Sequence, residues 1–382
     1  MDNRIFDYWA ATLQDGYIGN LPDIVRCAGG ARSLYEMPEH ELSGIPGISP
    51  KMAGYITGRK CDRKMLEKNY VKMNMNGICY VNHSDDIFPQ KLRDIPSMPY
   101  GLFVKGSLPD QNRPAVAIVG ARECGEYGRL MAEYLGSRLA KEGIDIISGM
   151  AWGIDGIAQM AALTAGGRSY GVLGCGVDIP YPAKNRSLYN SLCKDGNGVI
   201  SEYAPGTKAI ARLFPPRNRI ISGLCDVLIV VEARKRSGTL ITADLAIDQG
   251  KCVMIVPGRL TDSLSTGCLN LMSQGAIPVT GIDSVLDQLD IGKQLELPVT
   301  VPKKKRTPAG PVRSISFETK EIPEELQRIA DILTLEPQSV EVIADKAKIT
   351  PDTAMIMLTK LDLEGSAREI WPGFFIKNLT VS

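Results

Sequence analysis

The run Phe214-Pro215-Pro216-Arg217-Asn218-Arg219 brings an aromatic ring, a rigid corner and two guanidinium groups together ahead of a helix start. The ring can stack a nucleobase, the prolines stiffen the approach, and the arginines beside Asn218 can fork onto phosphate oxygens. Between Tyr203 and Arg236 the basic residues are Lys208, Arg212, Arg217, Arg219, Arg234, Lys235 and Arg236, against Asp226 and Glu232. Seven minus two leaves five excess positive charges in a chain whose total is only +1. Charge this concentrated predicts a polyanionic partner. The same residue types also make internal braces, and one of Arg217 and Arg219 is expected to anchor a carboxylate on a neighbouring loop.

Four other loops carry residues of interest. Gly120-Ala121-Arg122, with Gly125 and Gly128, departs from the dinucleotide spacing, and Ser148 stands where an acidic ribose ligand would end the second strand. No nucleotide or other cofactor is expected. The glycines allow a phosphate to approach a helix N-terminus, with Arg122 as an added fork. A tight turn with a solvated arginine accounts for the same residues equally well. Ser148-Gly149-Met150-Ala151-Trp152-Gly153-Ile154-Asp155 clusters small residues, and Asp155 is expected to cap the next helix. Tyr181-Pro182-Ala183-Lys184-Asn185-Arg186 repeats the spacing of the Phe214 corner: aromatic, proline, any residue, basic, asparagine, arginine. Arg236-Ser237-Gly238-Thr239 offers hydroxyls and amides as an anion nest, without the lysine of a Walker loop.

Positioning these loops requires a sheet. The apolar runs Val116–Val119, Ile144–Ile147, Ser169–Leu173, Val199–Glu202, Val227–Val231 and Cys252–Val256 alternate with amphipathic stretches. Such alternation predicts an α/β fold: an extended Rossmann-like, mostly parallel sheet with helices on both faces. Ligands of open parallel sheets bind beyond the carboxyl ends of the strands, where all the loops named above fall.

Four regions follow. Residues 1–75 read as short helices, in which Leu42–Ser49 has the form of a helix-hairpin-helix turn. Because Glu36, Glu39 and Glu41 precede it, a packing turn is expected rather than a phosphate site. Residues 76–292 hold the sheet. Residues 293–320, with Pro302-Lys303-Lys304-Lys305-Arg306, read as a basic tether. Residues 321–382 pattern as a winged helix: Leu326–Leu333, Val340–Lys346, a helix capped by Thr350, and a hairpin through Trp371-Pro372-Gly373. Six Lys/Arg against eleven Asp/Glu make this tail net negative by five, a surface that repels phosphates.

Composition narrows the class. An apolar content of 44% with 23% charged residues is that of a globular protein, and no apolar run reaches spanning length, so no membrane contact is expected. The polar N-terminus predicts a cytoplasmic location. Nine scattered cysteines without a C-x-x-C pair suit reduced thiols, and with only His40 and His83 no metal site is expected.

Taken in order, these motifs resemble the DNA processing protein A (DprA/Smf) family. The matching segments are Val116–Arg122, Ser148–Asp155, Gly174–Asp178 with Tyr181-Pro182, Ser201–Tyr203, Phe214–Gly223, Ser237–Ala243 and Ile255–Gly258; upstream, Phe88-Pro89, Leu92 and Pro96 agree as well. The resemblance covers residues 78–280 closely and the flanks loosely. It implies a homodimeric mediator, not an enzyme, that binds single-stranded DNA and places RecA recombinase on incoming strands during natural transformation. It implies roles for Arg122 and for Phe214. A basic residue is usual in the family where this chain has Ala211, and Arg212 and Lys208 stand nearby as alternatives. In this reading Phe214 stacks a base while Arg122, Arg217, Arg219 and the amides of Ser237, Gly238 and Thr239 hold the strand. The implied dimer surface is Thr266–Gly275 with Cys252–Val256, including Leu269 and Met272. The rival is a nucleotide phosphoribohydrolase on a related fold. Against it, Gly238-Thr239 is followed by no carboxylate until Asp244.

Overall fold

Residues buried on both faces build the centre of the sheet. The computed structural model describes residues 3–16, 20–194, 196–294, 324–334 and 337–378. Its strands in chain order are β1 (Ile78–Asn82), β2 (Gly101–Gly106), β3 (Ala115–Val119), β4 (Asp145–Ser148), β5 (Ser169–Leu173), β6 (Gly198–Ser201), β7 (Val227–Val230), β8 (Cys252–Ile255) and β9 (Ile277–Pro278). They form one sheet in the order β1-β2-β6-β5-β4-β3-β7-β8-β9. From β6 to β9 every pairing is parallel, while β2 runs antiparallel to both β1 and β6. Every residue of β3 through β7 is buried, which is why these strands read as unbroken apolar runs rather than as alternating ones.

The six runs read as strands lie within a residue or two of β3 to β8. Three strands were not foreseen: β1, β2 and β9. The antiparallel pair β1–β2 extends the sheet beyond β6, with Tyr80 opposite Phe103. The chain runs outward from β3 through β4 and β5 to β6, then crosses back to β7 on the other side of β3. The strand order therefore reverses between β3 and β7, and a crevice opens at their carboxyl ends.

The sequence reading separated residues 1–75 from residues 76–292, but in the structure they form one unit, Met1–Glu296. The reason is packing. Ile5, Trp9, Leu13, Leu34 and Ile56 share a continuous apolar cluster with Tyr80, Phe103, Met150 and Leu173. The Tyr8 ring meets Tyr80 and Phe103 edge-on, at centroid distances of 6.3 and 6.1 Å. Polar contacts reinforce the joint: the Tyr100 hydroxyl donates to Asp7 Oδ1 at 2.6 Å, and Arg4 pairs with Asp85 at 2.7 Å. Leu42, Ile45 and Ile48 point inward, so Leu42–Ser49 is the packing turn expected.

The second unit runs from Leu297 to Ser382. Its described elements are the helices Glu324–Ile332, Val340–Ala347 and Pro351–Leu363, followed by the hairpin Ala367–Trp371 and Phe374–Lys377. Gln338–Ser339 adds a third strand beside Phe374–Lys377, so the unit joins three helices to a small antiparallel sheet. The Thr350 hydroxyl accepts the amide of Thr353 at 3.3 Å, and Pro351 fills the first turn, where its missing N–H costs nothing. The basic run Pro302–Arg306 lies outside the described residues.

Candidate nucleic-acid interface

Asp155 fastens the crevice together. Buried beneath the loops, its carboxylate accepts the amide of Gly120 at 3.4 Å and that of Gly149 at 3.1 Å, joining the ends of β3 and β4. It does not cap its own helix, Ile154–Thr164, whose N-cap position is Gly153. Burial holds the Asp155 carboxyl above the ordinary carboxylate range, with the Arg217 charge pulling the other way. Gly153, at φ +87°, is required twice over: it takes a left-handed backbone, and a Cβ there would lie 2.3 Å from the Ala121 carbonyl. The Thr239 hydroxyl donates to the Gly120 carbonyl at 3.1 Å, tying in the loop beyond β7.

The first glycine loop holds an anion of its own. Glu232, just past β7, is buried, and its Oε2 accepts the Gly125 amide at 2.9 Å. This amide opens the Glu126–Lys141 helix, where the helix dipole favours negative charge. Gly128 lets the carboxylate in, because a Cβ there would sit 2.3 Å from Glu232 Cδ. A side chain of the protein thus fills the place that the sequence reading offered to a phosphate. Arg122 remains exposed on the rim of this loop, near enough for its charge to bear on Arg217.

The Phe214 corner divides into an outer and an inner part. Phe214 is half-buried at the start of the Phe214–Leu224 helix, and its ring lies 5.4 Å from that of Tyr181, tilted by 37°. Arg217 is only 5% exposed: its Nη1 donates to the Gly149 carbonyl at 3.0 Å and to the Val172 carbonyl, and its guanidinium lies 5.7 Å from the Phe214 ring centre. Burial pushes the Arg217 guanidinium down to about 10, partly offset by Asp155. Arg219 is 8% exposed and donates to Ser97 O at 2.7 Å, Pro216 O at 2.8 Å and Glu202 Oε1 at 2.6 Å.

Both arginines are therefore internal braces, which corrects the reading that put them on phosphates. The expectation that one would anchor a loop carboxylate is met by Arg219 and Glu202. Asn218 Oδ1 is likewise engaged, accepting from Arg217 Nε at 3.2 Å. A brace and a phosphate clamp need the same residue types, so spacing alone could not separate them.

The remaining cations face outward. Lys208 and Arg212 are exposed, and Arg212 Nη2 donates to the Asp15 carbonyl at 3.2 Å, linking the corner to the N-terminal helices. Arg234, Lys235 and Arg236 are exposed beyond β7. Ser237 follows them, its Oγ buried without a hydrogen-bond partner, directly before the Gly238–Asp248 helix. Gly238 is exposed at that helix start, and Thr239 is half-buried.

Three residues at the same strand ends were missed as site candidates: Trp152, 47% exposed, Tyr181, 39% exposed, and Lys184, whose Nζ lies 4.9 Å from the Trp152 ring centre. Their signals were an aromatic residue in a glycine loop and the repeated corner spacing. Farther along the chain, Met272 is exposed and Leu269 half-buried on the Thr266–Ser273 helix. Asp244 is exposed on the Gly238–Asp248 helix. Among the described residues no cluster of His, Cys, Asp and Glu could hold a metal ion, and no helix is long and apolar enough to cross a membrane.

A doubly wound parallel sheet with cationic and aromatic loops at the carboxyl ends of its strands defines a Rossmann-like α/β protein, carrying a helical extension and a separate small helix-and-hairpin unit. Within that class, the chain belongs to the DNA recombination-mediator protein A family, whose pattern matches residues 79–290. It is 43% identical over 250 residues to the DNA processing protein DprA of Streptococcus pneumoniae, covering 65% of this chain and 85% of that protein. It is 33% identical over 315 residues to Protein Smf of Escherichia coli, covering 82% and 81%. The crystal structure of the Streptococcus pneumoniae protein matches with a TM-score of 0.63 at 33% identity, over 74% of this chain and 97% of that one.

Proposed function

We propose that this protein binds single-stranded DNA across the carboxyl ends of its sheet and delivers the strand to a RecA-type recombinase, without chemistry of its own. The observation that carries the reading is the Tyr181–Phe214 ring pair, exposed at Tyr181 and half-buried at Phe214, with exposed cations on neighbouring loops. In this proposal a base stacks on Phe214, while Arg122, Lys208, Arg212 and Arg234–Arg236 neutralise phosphates. The unpartnered Ser237 hydroxyl and the amides of Gly238 and Thr239 receive an oxygen. Stacking tolerates every base, so little sequence preference follows. Arg217 and Arg219 do not touch the strand and serve as the frame beneath it. Two protomers joined through the Leu269 and Met272 region would present two such crevices. Cytoplasmic action beside the chromosome accords with this role.

The deciding experiment compares single-stranded and double-stranded oligonucleotides over a range of salt. The proposal expects preference for the single strand and a large loss in Phe214→Ala. It also expects the wild type, and not Phe214→Ala, to help a RecA recombinase displace single-strand-binding protein. Release of free base from nucleoside monophosphates, abolished by Asp244→Asn, would overturn the non-enzymatic reading.

A further inference from the structure

We infer that Trp152, with Lys184, forms a second nucleobase platform that takes a further nucleotide of the strand held at Phe214; the inference rests on the single-strand reading above. Trp152 lies in the loop after β4 and keeps 47% of its surface exposed, whereas Trp9 is only 2% exposed. The backbone beneath it is fixed from two directions. Asn185 Nδ2 donates to the carbonyls of Met150 and Ala151 at 2.9 and 3.1 Å. On the other side Gly153 packs against the carbonyls of Ala121 and Arg122, where a Cβ would lie 2.3 and 2.4 Å away. The backbone that carries the ring is fixed, while the ring itself stays largely exposed. A platform needs this combination, since an aromatic with fixed backbone loses little freedom when a base arrives.

The repeated corner supplies the rest. Residues 181–186 place Tyr181 against Phe214 at 5.4 Å and Lys184 over Trp152 at 4.9 Å. This one segment thus joins the Phe214 platform to the Trp152 ring. An ammonium resting on the indole is positioned to shift to the phosphate of a nucleotide whose base takes the ring face. The ligand class is a nucleotide unit of single-stranded nucleic acid, recognised by its π-face and its phosphate and not by its base edge.

The test is binding of oligothymidylates from about 4 to about 16 nucleotides, the range of site sizes that strand-binding folds show. Tryptophan emission is followed in the full-length protein in a Trp371→Phe background, where Trp9 and Trp152 emit. Quenching should be absent with the shortest strands and appear as length grows, and Trp152→Phe should abolish it. Trp152→Ala should lose roughly five- to 150-fold in affinity for long strands only, the worth of one stacked base. Lys184→Ala should lower the log–log salt slope by about 0.7, again for long strands only. Phe214→Ala should weaken binding at every length. If Phe214→Ala weakens binding while long strands leave Trp152 emission unquenched and Trp152→Ala keeps the affinity of its parent, the second platform is wrong and the first reading stands. An equal loss at every length in Trp152→Ala, with a lower melting temperature, marks a packing role and also overturns it. Failure of the wild type to bind any strand overturns both readings.

Discussion

Arg219, on the Phe214–Leu224 helix, and Glu202, the residue after β6, meet at 2.6 Å in the interior, with side chains 10% and 3% exposed. A charge pair this deep contributes little over an apolar pair but is costly to break, because the surviving partner stays buried and uncompensated. Arg219→Ala should lower unfolding stability by about 3–5 kcal/mol. Urea titration followed by circular dichroism would measure it. A loss below about 1 kcal/mol, as for a surface pair, would contradict the assignment of Arg219 as a brace.

Arg122 tests the outer half of the corner. Being exposed, it should be removable without cost to the fold, so Arg122→Ala should keep the wild-type melting temperature. Its effect should fall on binding alone, reducing the log–log salt slope by about 0.7 because one phosphate is no longer neutralised. An unchanged slope and affinity would remove Arg122 from the interface.

Asp155 makes stability depend on pH in an unusual direction for a carboxylate. Its folded-state pKa is raised from the ordinary 3.8, so the folded protein holds this proton more tightly than the unfolded chain. The contribution is full below 3.8 and is lost as pH rises through the higher folded value. Asp155→Asn carries no such proton. The stability of Asp155→Asn relative to wild type should therefore increase between about pH 3 and pH 7. Denaturant unfolding at several pH values gives the difference directly, and a flat or falling one would refute the burial argument.

Met272 and Leu269 bear on assembly. If two protomers pair through this region as proposed, the wild type should sediment as a dimer and Leu269→Glu, which sets a charge on the contact, as a monomer in analytical ultracentrifugation. An unaltered sedimentation profile would reject this location for the contact.

Residues 321–382 should be dispensable for strand binding. They carry five net negative charges, so their removal should change single-strand affinity by no more than a few fold. A large drop in a truncated protein that still melts cooperatively would give this region a direct role in holding DNA.

Local physics made much of this molecule legible in advance. A strand buried on both faces needs an unbroken run of apolar residues, so β3 to β8 stood out, and with them the end of the sheet where ligands gather. The Phe214 corner was legible because proline, aromatic and basic residues have the same local consequences wherever they occur. In the tail, the helix start at Thr350-Pro351 and the hairpin turn at Gly373 were legible as well.

Burial was not legible, because it depends on which distant segments close over a side chain. Arg217 and Arg219 share a short run with Phe214, yet the carbonyls of Gly149, Val172 and Ser97 and the carboxylate of Glu202 arrive from elsewhere and enclose them. Glu232 reaches the Gly125 amide across more than a hundred residues. Tyr181 and Trp152 gain their importance only when β4, β5 and β6 lie side by side. The sequence by itself determined which groups could stack, fork or cap. Only the tertiary structure decided which of them face water and remain free to act, because solvation is set by the whole fold and not by neighbours along the chain.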